Sequence, residues 1–359
     1  MRIIQLITRP QRRGAEIFAV QLAECLKSRG HELWVISLLE GPGGISFSEG
    51  LIQMDFKNRP KLDYKGFKEL AATIKKIKPD IIQANASDTL RYAVGARLIG
   101  AGDFVLIYRN ANTLSRFIKS KKQRLFNSLL HRNVDAVISV SENSLMDYRQ
   151  TFRPKNSISI PIGIDPNEIQ KKLEISVEPQ KDDYLLFVGS LVSEKDPLGM
   201  VTIFKEVLKI YPKIRLKFLG SGSLESSLTE KIETDKLQDS VEIIPNQSNI
   251  FPLLSQAKVL VMPSKIEGLP AVILEAMYCK VPVIAYAAGG IPEVLMSKKT
   301  GWCIETGNQE AFEASVLEVL NTPPTELEKI TDAAKALVLK KYQMDQVGKE
   351  FEGFYFELI

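Results

Sequence analysis

Short runs rich in Val, Ile and Leu recur along this chain of 359 residues in two separate series, and that pattern limits its fold more than any other feature. The first series comprises residues 3–7, 33–38, 80–83, 104–108, 136–140 and 157–162, and the second 184–188, 215–219, 241–244, 259–262, 282–285 and 301–304. Each run is short and almost continuously apolar, as a strand must be when both of its faces are covered. Longer helical patterns lie between the runs, so each series predicts a doubly wound parallel sheet with helices on both faces. An α/β chain of two Rossmann-like domains facing a central cleft is therefore expected, which also suits about 150 residues per domain.

The predicted boundaries are 1–165 for the first domain and 183–340 for the second. Residues 166–182 are polar, with few large apolar side chains, and read as a linker. Residues 341–359 read as a final helix packing back on the first domain, because Tyr342, Val347, Phe351, Phe354, Tyr355 and Leu358 recur near a helical apolar stripe.

Charge is uneven. Residues 1–170 hold 26 Lys and Arg against 16 Asp and Glu, and residues 171–359 hold 21 against 27. Within the basic half, residues 113–134 contain no acid, and Arg116, Lys119, Lys121, Lys122 and Arg124 interleave with Leu114, Phe117, Ile118, Leu125 and Leu129. That spacing predicts a basic amphipathic helix suited to an anionic membrane surface, with an ordinary solvated helix face as the alternative. Residues 1–10 hold too few apolar residues for a secretory signal, and no run approaches about 18 apolar residues, so a cytoplasmic protein, peripheral at the inner face of the membrane, is expected. Cys25, Cys279 and Cys303 are scattered and odd in number, which fits small buried residues and not a disulfide framework or zinc site.

In open parallel sheets ligands bind beyond the carboxyl ends of the strands, on the strand-to-helix turns. The turn with most chemistry lies in residues 259–293. There a strand leads through Glu267, Gly268, Leu269 and Pro270 into a helix carrying Glu275, followed by a second strand and the turn Gly289-Gly290-Ile291-Pro292-Glu293. Proline just inside a helix start marks a first turn whose free N–H groups attract an anion, so the segment is built to hold a phosphate. A carboxylate such as Glu275, in the helix beyond a diphosphate, has the place that dinucleotide folds give to a ribose-binding acid. Lys195, after the turn Gly189-Ser190, is a point charge for phosphate. Only two histidines exist and no Asp-x-Asp occurs, so neither His chemistry nor a metal clamp is expected.

Residues 263–293, taken with VGSLVSEKDP, FLGSGSLESSL, VDAVISVSE and IPIGID, resemble the retaining, nucleotide-sugar-dependent glycosyltransferases of GT-B fold that carry a Glu-x7-Glu signature, glycosyl transferases group 1, family 4. The resemblance spans nearly the whole chain. It implies transfer of a sugar from a nucleoside diphosphate donor to a hydroxyl of a glycan or lipid-linked acceptor in bacterial envelope or polysaccharide synthesis, without a metal cofactor and without nucleic acid as partner. It places Glu267 against the donor sugar, Glu275 on the ribose and Lys195 on the diphosphate. Gly268, Leu269 and Pro270 would supply backbone contacts, Gly220, Asn246 and Gln247 would flank the base, and Gly14, Gly189 and Ser190 complete the donor set.

Three positions depart from the pattern. Ser190 stands where many such enzymes have arginine, Arg13-Gly14 replaces a Gly-Gly turn, and a first-domain histidine has no counterpart. Arg109 and Asn110 occupy its region and join Glu267 and Lys195 as the catalytic candidates. A nucleotide-sugar epimerase and a catalytically weak nucleotide-sugar-binding protein remain alternatives on the same scaffold.

Overall fold

The computed structural model describes residues 1–57, 62–174 and 183–359. It divides into two compact units, Met1–Gly163 with Met344–Ile359, and Ile164–Gln343.

The first unit runs β1 (Arg2–Ile7), α1 (Gly14–Ser28), β2 (Glu32–Leu39), β3 (Leu51–Phe56), α2 (Tyr64–Ile77), β4 (Ile81–Ala84), α3 (Ser87–Leu98), β5 (Val105–Asn110), α4 (Lys121–His131), β6 (Ala136–Ser139), α5 (Glu142–Phe152) and β7 (Asn156–Ser159). Its seven strands are all parallel, in the order β3-β2-β1-β4-β5-β6-β7. The central strands β1 and β4 are completely buried past their first residues, so the apolar runs seen in sequence are the sheet core. One strand, β3, lies outside the expected set. As an edge strand it is covered on one face only, and LIQMDF is too polar to read as a buried run.

The expected basic helix over 113–134 is two pieces, a 3₁₀ turn at Leu114–Phe117 and α4. Ser120 starts the second by accepting from the Gln123 N–H at 3.2 Å, while the Gln123 side chain accepts from the Lys119 N–H at 2.9 Å. This reciprocal cap ends one segment and begins another. No α4 residue is fully buried, and Leu125 and Leu129 are 65% and 51% exposed. At the far end, His131 turns inward: its Nδ1 shares a hydrogen bond with the Tyr148 hydroxyl at 2.5 Å, and its ring stacks on Phe152 at 4.2 Å.

The second unit runs α6 (Pro166–Leu173), β8 (Tyr184–Val188), α7 (Pro197–Ile210), β9 (Arg215–Leu219), α8 (Glu225–Thr234), β10 (Val241–Ile244), α9 (Phe251–Gln256), β11 (Val259–Met262), α10 (Ala271–Tyr278), β12 (Val283–Tyr286), α11 (Ile291–Val294), β13 (Trp302–Ile304), α12 (Gln309–Asn321) and α13 (Pro324–Lys341). Six parallel strands follow the order β10-β9-β8-β11-β12-β13 around a core that includes Leu185, Phe187, Phe204, Phe218, Val261 and Phe312. The first half of the expected linker is α6: Asp165 caps it by accepting from the N–H groups of Asn167 and Glu168, and Pro166 sits at its first position. The remainder of that stretch, 175–182, lies outside the described residues.

The chain then returns to the first unit for α14 (Met344–Leu358). Val347, Phe351 and Tyr355 are completely buried there, with Phe351 5.8 Å from the Phe18 ring of α1. Glu352 is bridged to Arg29 at 2.6 Å and to His31 at 2.7 Å, so the His31 side chain fastens α14. The three cysteines are half-buried, less enclosed than their sequence context predicts.

Candidate functional site

In the second unit the strand order reverses between β8 and β11, and an open sheet forms a ligand crevice at such a point. The two strands pair only at Val259↔Leu185 and Leu260↔Leu186, although β8 continues to Val188 and β11 to Met262. Their carboxyl ends are unpaired with each other, and the loops that leave them interlock instead. The N–H groups of Lys265 and Ile266 donate to the Glu194 carbonyl at 2.7 and 3.3 Å, and Lys265 Nζ meets Asp196 at 2.8 Å. Lys195 Nζ donates to Glu267 Oε1, joining the two residues singled out for phosphate and sugar. Glu267 is only 5% exposed.

The turn 288–293 supports this loop from behind. Gly290 N–H donates to the Gly268 carbonyl at 2.6 Å, and Gly289, at φ +55°, leaves no room for a side chain, since a Cβ there would lie 2.2 Å from the Glu267 carbonyl oxygen. Gly289 and Gly290 shape this loop and lie outside the candidate set. Two glycines directly after a strand were the available signal.

Pro270 is the N-cap of α10, with extended backbone, and the helix begins at Ala271, one position later than expected. No side chain caps this end and no acid occupies its first turn, so its N–H groups lack a counter-charge from α10 itself. Leu269 is buried and anchors the approach. Glu275 is the fifth residue of α10 and half-buried. Desolvation pushes its carboxyl up to about 7, with Lys172 of α6 pulling the other way and Glu168 adding to the rise.

Gly189 and Gly220 lie at the ends of neighbouring strands, and a Cβ on Gly220 would fall 2.0 Å from the Gly189 carbonyl oxygen. Only glycine allows the backbones to approach so closely. Leu191 N–H, just past Ser190, donates to the Ser221 carbonyl at 2.9 Å, and Asn246 Nδ2 donates to Ser221 Oγ at 2.8 Å. Three turns are thereby gathered along one edge of the sheet, and Asn246 and Gln247 remain exposed.

In the first unit, Gly14 opens α1 and a Cβ there would meet nothing within 4 Å. Arg109 and Asn110 end β5, and strand alternation sends them to opposite faces. Arg109 lies over the Phe18 ring of α1 at 4.1 Å, whereas Asn110 Nδ2 donates to Ser139 Oγ at 3.3 Å and to the Ser144 carbonyl at 3.2 Å. The two catalytic candidates of this unit do not converge. Among the described residues no group of three His, Cys, Asp or Glu is placed to hold a metal ion.

Two family models match adjoining stretches of the chain: Glycosyltransferase Family 4 over residues 12–168 and Glycosyl transferases group 1 over residues 168–337. The chain belongs to the group 1 glycosyltransferases of GT-B fold. It is 24% identical to an uncharacterized glycosyltransferase of Haemophilus influenzae, covering 95% of both chains. A GalNAc-α-(1→4)-GalNAc-α-(1→3)-diNAcBac-PP-undecaprenol α-1,4-N-acetyl-D-galactosaminyltransferase of Campylobacter jejuni is 23% identical, over 98% of this chain and 97% of that one. Among solved structures, Anabaena HepE in complex with UDP and glucose superposes with a TM-score of 0.84 at 19% identity, over 99% of both chains. This glycosyltransferase therefore has the fold that its paired βα series predicts, with Lys195 and Glu267 in contact at the switch point of its second unit and Glu275 farther along α10.

Proposed function

We propose that this glycosyltransferase moves a hexose or related sugar from a nucleoside diphosphate donor to a hydroxyl of an acceptor, with retention of anomeric configuration and without a metal. The second unit takes the donor and the first the acceptor. The observation that supports this most is the contact of Lys195 with Glu267 across the switch point, beside the uncapped start of α10 and with Glu275 farther along the same helix. A diphosphate at α10 would be met by backbone N–H groups and by Lys195, which replace metal charge. Glu275 would accept the ribose hydroxyls, and Glu267 would turn to the hydroxyls of the transferred sugar.

Lys195 is partnered by Glu267, so a donor diphosphate would exchange one anion for another at that ammonium. As the glycosidic bond breaks, charge builds on the leaving phosphate oxygen, and the fixed N–H groups and Lys195 stabilise it. The incoming hydroxyl loses its proton to that oxygen on the same face of the sugar, which needs no histidine base. Arg109 and Asn110, buried on opposite faces of their strand, serve the acceptor side and not the reacting atoms. UDP-sugars are the first donors to try, given the UDP and glucose bound by HepE. An undecaprenol-linked oligosaccharide substrate in the C. jejuni relative supports an envelope setting, where the exposed leucines and cations of α4 would rest on anionic lipid. No helix among the described residues is long and apolar enough to cross a membrane.

Screening nucleotide sugars by thermal shift tests the donor reading, because a bound donor raises the melting temperature with the logarithm of its concentration over Kd. Absence of a shift with every nucleoside diphosphate sugar defeats it. The anomeric configuration of the product by NMR tests retention, and activity in EDTA tests metal independence.

A further inference from the structure

The first unit has a switch point of its own, between β1 and β4, and an unusual set of polar side chains is buried beside it. Most of them satisfy one another. Gln83 Nε2 donates to Gln5 Oε1 and Asn85 Oδ1, both at 3.0 Å, Asn85 Nδ2 donates to Gln5 Oε1 at 2.9 Å, and the Tyr355 hydroxyl of α14 donates to Gln83 Oε1 at 2.6 Å. Arg109 is the exception. Its side chain is 2% exposed, its Nε and Nη1 are buried without a hydrogen-bond partner, and among the described residues no ion pair reaches it. The Phe18 ring covers the guanidinium at 4.1 Å, which offsets part of the missing solvation but satisfies no N–H group.

A guanidinium has five N–H donors in a fixed fork and does not turn neutral easily, so burial without acceptors is costly unless an acceptor arrives. Burial does pull its pKa down to about 10, with Tyr355, Glu16 and Tyr108 acting in the opposite direction. Glu16, in the first turn of α1, is the nearby carboxylate; it is buried, occupied by the Gln11 amide at 3.1 Å and raised in pKa by desolvation. It biases Arg109 electrostatically without pairing with it. The amide network closes on itself without drawing on Arg109. An ordinary structural arginine would have been paired by that network or left at the surface.

We propose that Arg109 is the receptor of an anion-binding site in the first unit, taking a carboxylate or a phosphate monoester in bidentate fashion at the carboxyl end of β5. Under the donor and acceptor assignment above, on which this step rests, the charged group belongs to the acceptor. The acceptor is thus an acidic or phosphorylated sugar and not a neutral one.

The test is thermal shift of the full chain at constant ionic strength with glucuronate, glucose 6-phosphate and neutral methyl glucoside, on the wild type and on Arg109→Met, Arg109→Lys and Lys195→Ala. The wild type and Lys195→Ala should be stabilised by one of the charged sugars and not by the glucoside, and which sugar does so distinguishes carboxylate from phosphate. Arg109→Met should lose that response while melting about 3 °C higher without ligand, because an unpaired buried charge has gone. Arg109→Lys should bind the same sugar about tenfold more weakly, having lost the fork. Four results overturn the site: no charged sugar stabilises the wild type, the response survives in Arg109→Met, the response disappears only in Lys195→Ala, or Arg109→Met melts several degrees lower or does not fold. A UDP titration run alongside reports on the donor reading independently, since Arg109→Met should respond to UDP as the wild type does.

Discussion

The two sheets of this enzyme reverse direction in the same way, yet they treat charge at the reversal oppositely. In the second unit Lys195 meets Glu267, Lys265 meets Asp196, and the loops are interlocked by backbone hydrogen bonds. In the first unit a closed network of amides and a tyrosine lies at the reversal, and the Arg109 Nε and Nη1 are buried without an acceptor among the described residues. The contrast separates two ways of being ready for a ligand. A paired cation is stable while waiting and must be won by exchange, whereas an unpaired one is destabilising while waiting and is relieved by binding. The second unit follows the first design and the first unit the second.

The largest effect should come from removing the exchanged cation. Lys195→Ala should lower turnover at saturating donor about 100-fold, the usual loss for one preorganised donor of positive charge. Unchanged kcat would mean that the pair is only structural. Removing its partner sharpens the same point: Glu267→Gln frees Lys195 for phosphate, so UDP should bind about tenfold more tightly by calorimetry even as transfer fails. Weaker UDP binding would show that Glu267 holds Lys195 in place and does not compete for it.

The pH dependence is the next effect in size. The Glu275 carboxyl is raised to about 7, and under the proposed ribose role its neutral form below that pH would oppose donor binding. Donor affinity should therefore fall about fivefold from pH 7 to pH 6, and Glu275→Gln should flatten the profile. A profile unchanged by the substitution assigns the titration elsewhere. The smallest effect is expected at Glu16→Gln. A carboxyl that is raised in pKa and not in contact with Arg109 gives it little, so the melting temperature should move by no more than about 2 °C. A larger fall would mean that Glu16 is the true counter-charge, which would close the gap between the two units.

Much of this was legible in the chain because parallel strands buried on both faces have to be continuous apolar runs. The edge strand β3 escaped for the same reason, being half exposed. The Asp165-Pro166 start of α6 carried a legible helix signal, but the polar composition that followed read as linker. Ser120 and Gln123, three apart, likewise announced the break before α4. At the site, the turn chemistry of Gly189, Gly220 and Glu267 could be read locally. The contact of Lys195 with Glu267 could not, since it depends on how two loops 72 residues apart close on each other. The state of Arg109 was still less accessible: a missing partner depends on every neighbour at once, and no spacing encodes it.

The return of α14 has a further consequence, for the order in which the protein matures. Phe18 and Gln83 are synthesised early, but their partners Phe351 and Tyr355 arrive after the whole second unit has been made. Until then the first sheet lacks one of its covering helices and leaves an apolar furrow along α1. The second unit, continuous in sequence, can fold as soon as it leaves the ribosome, so the later domain is completed before the earlier one. A nascent chain of this kind spends its synthesis with its first unit unfinished, and residues 344–358 decide when that unit closes.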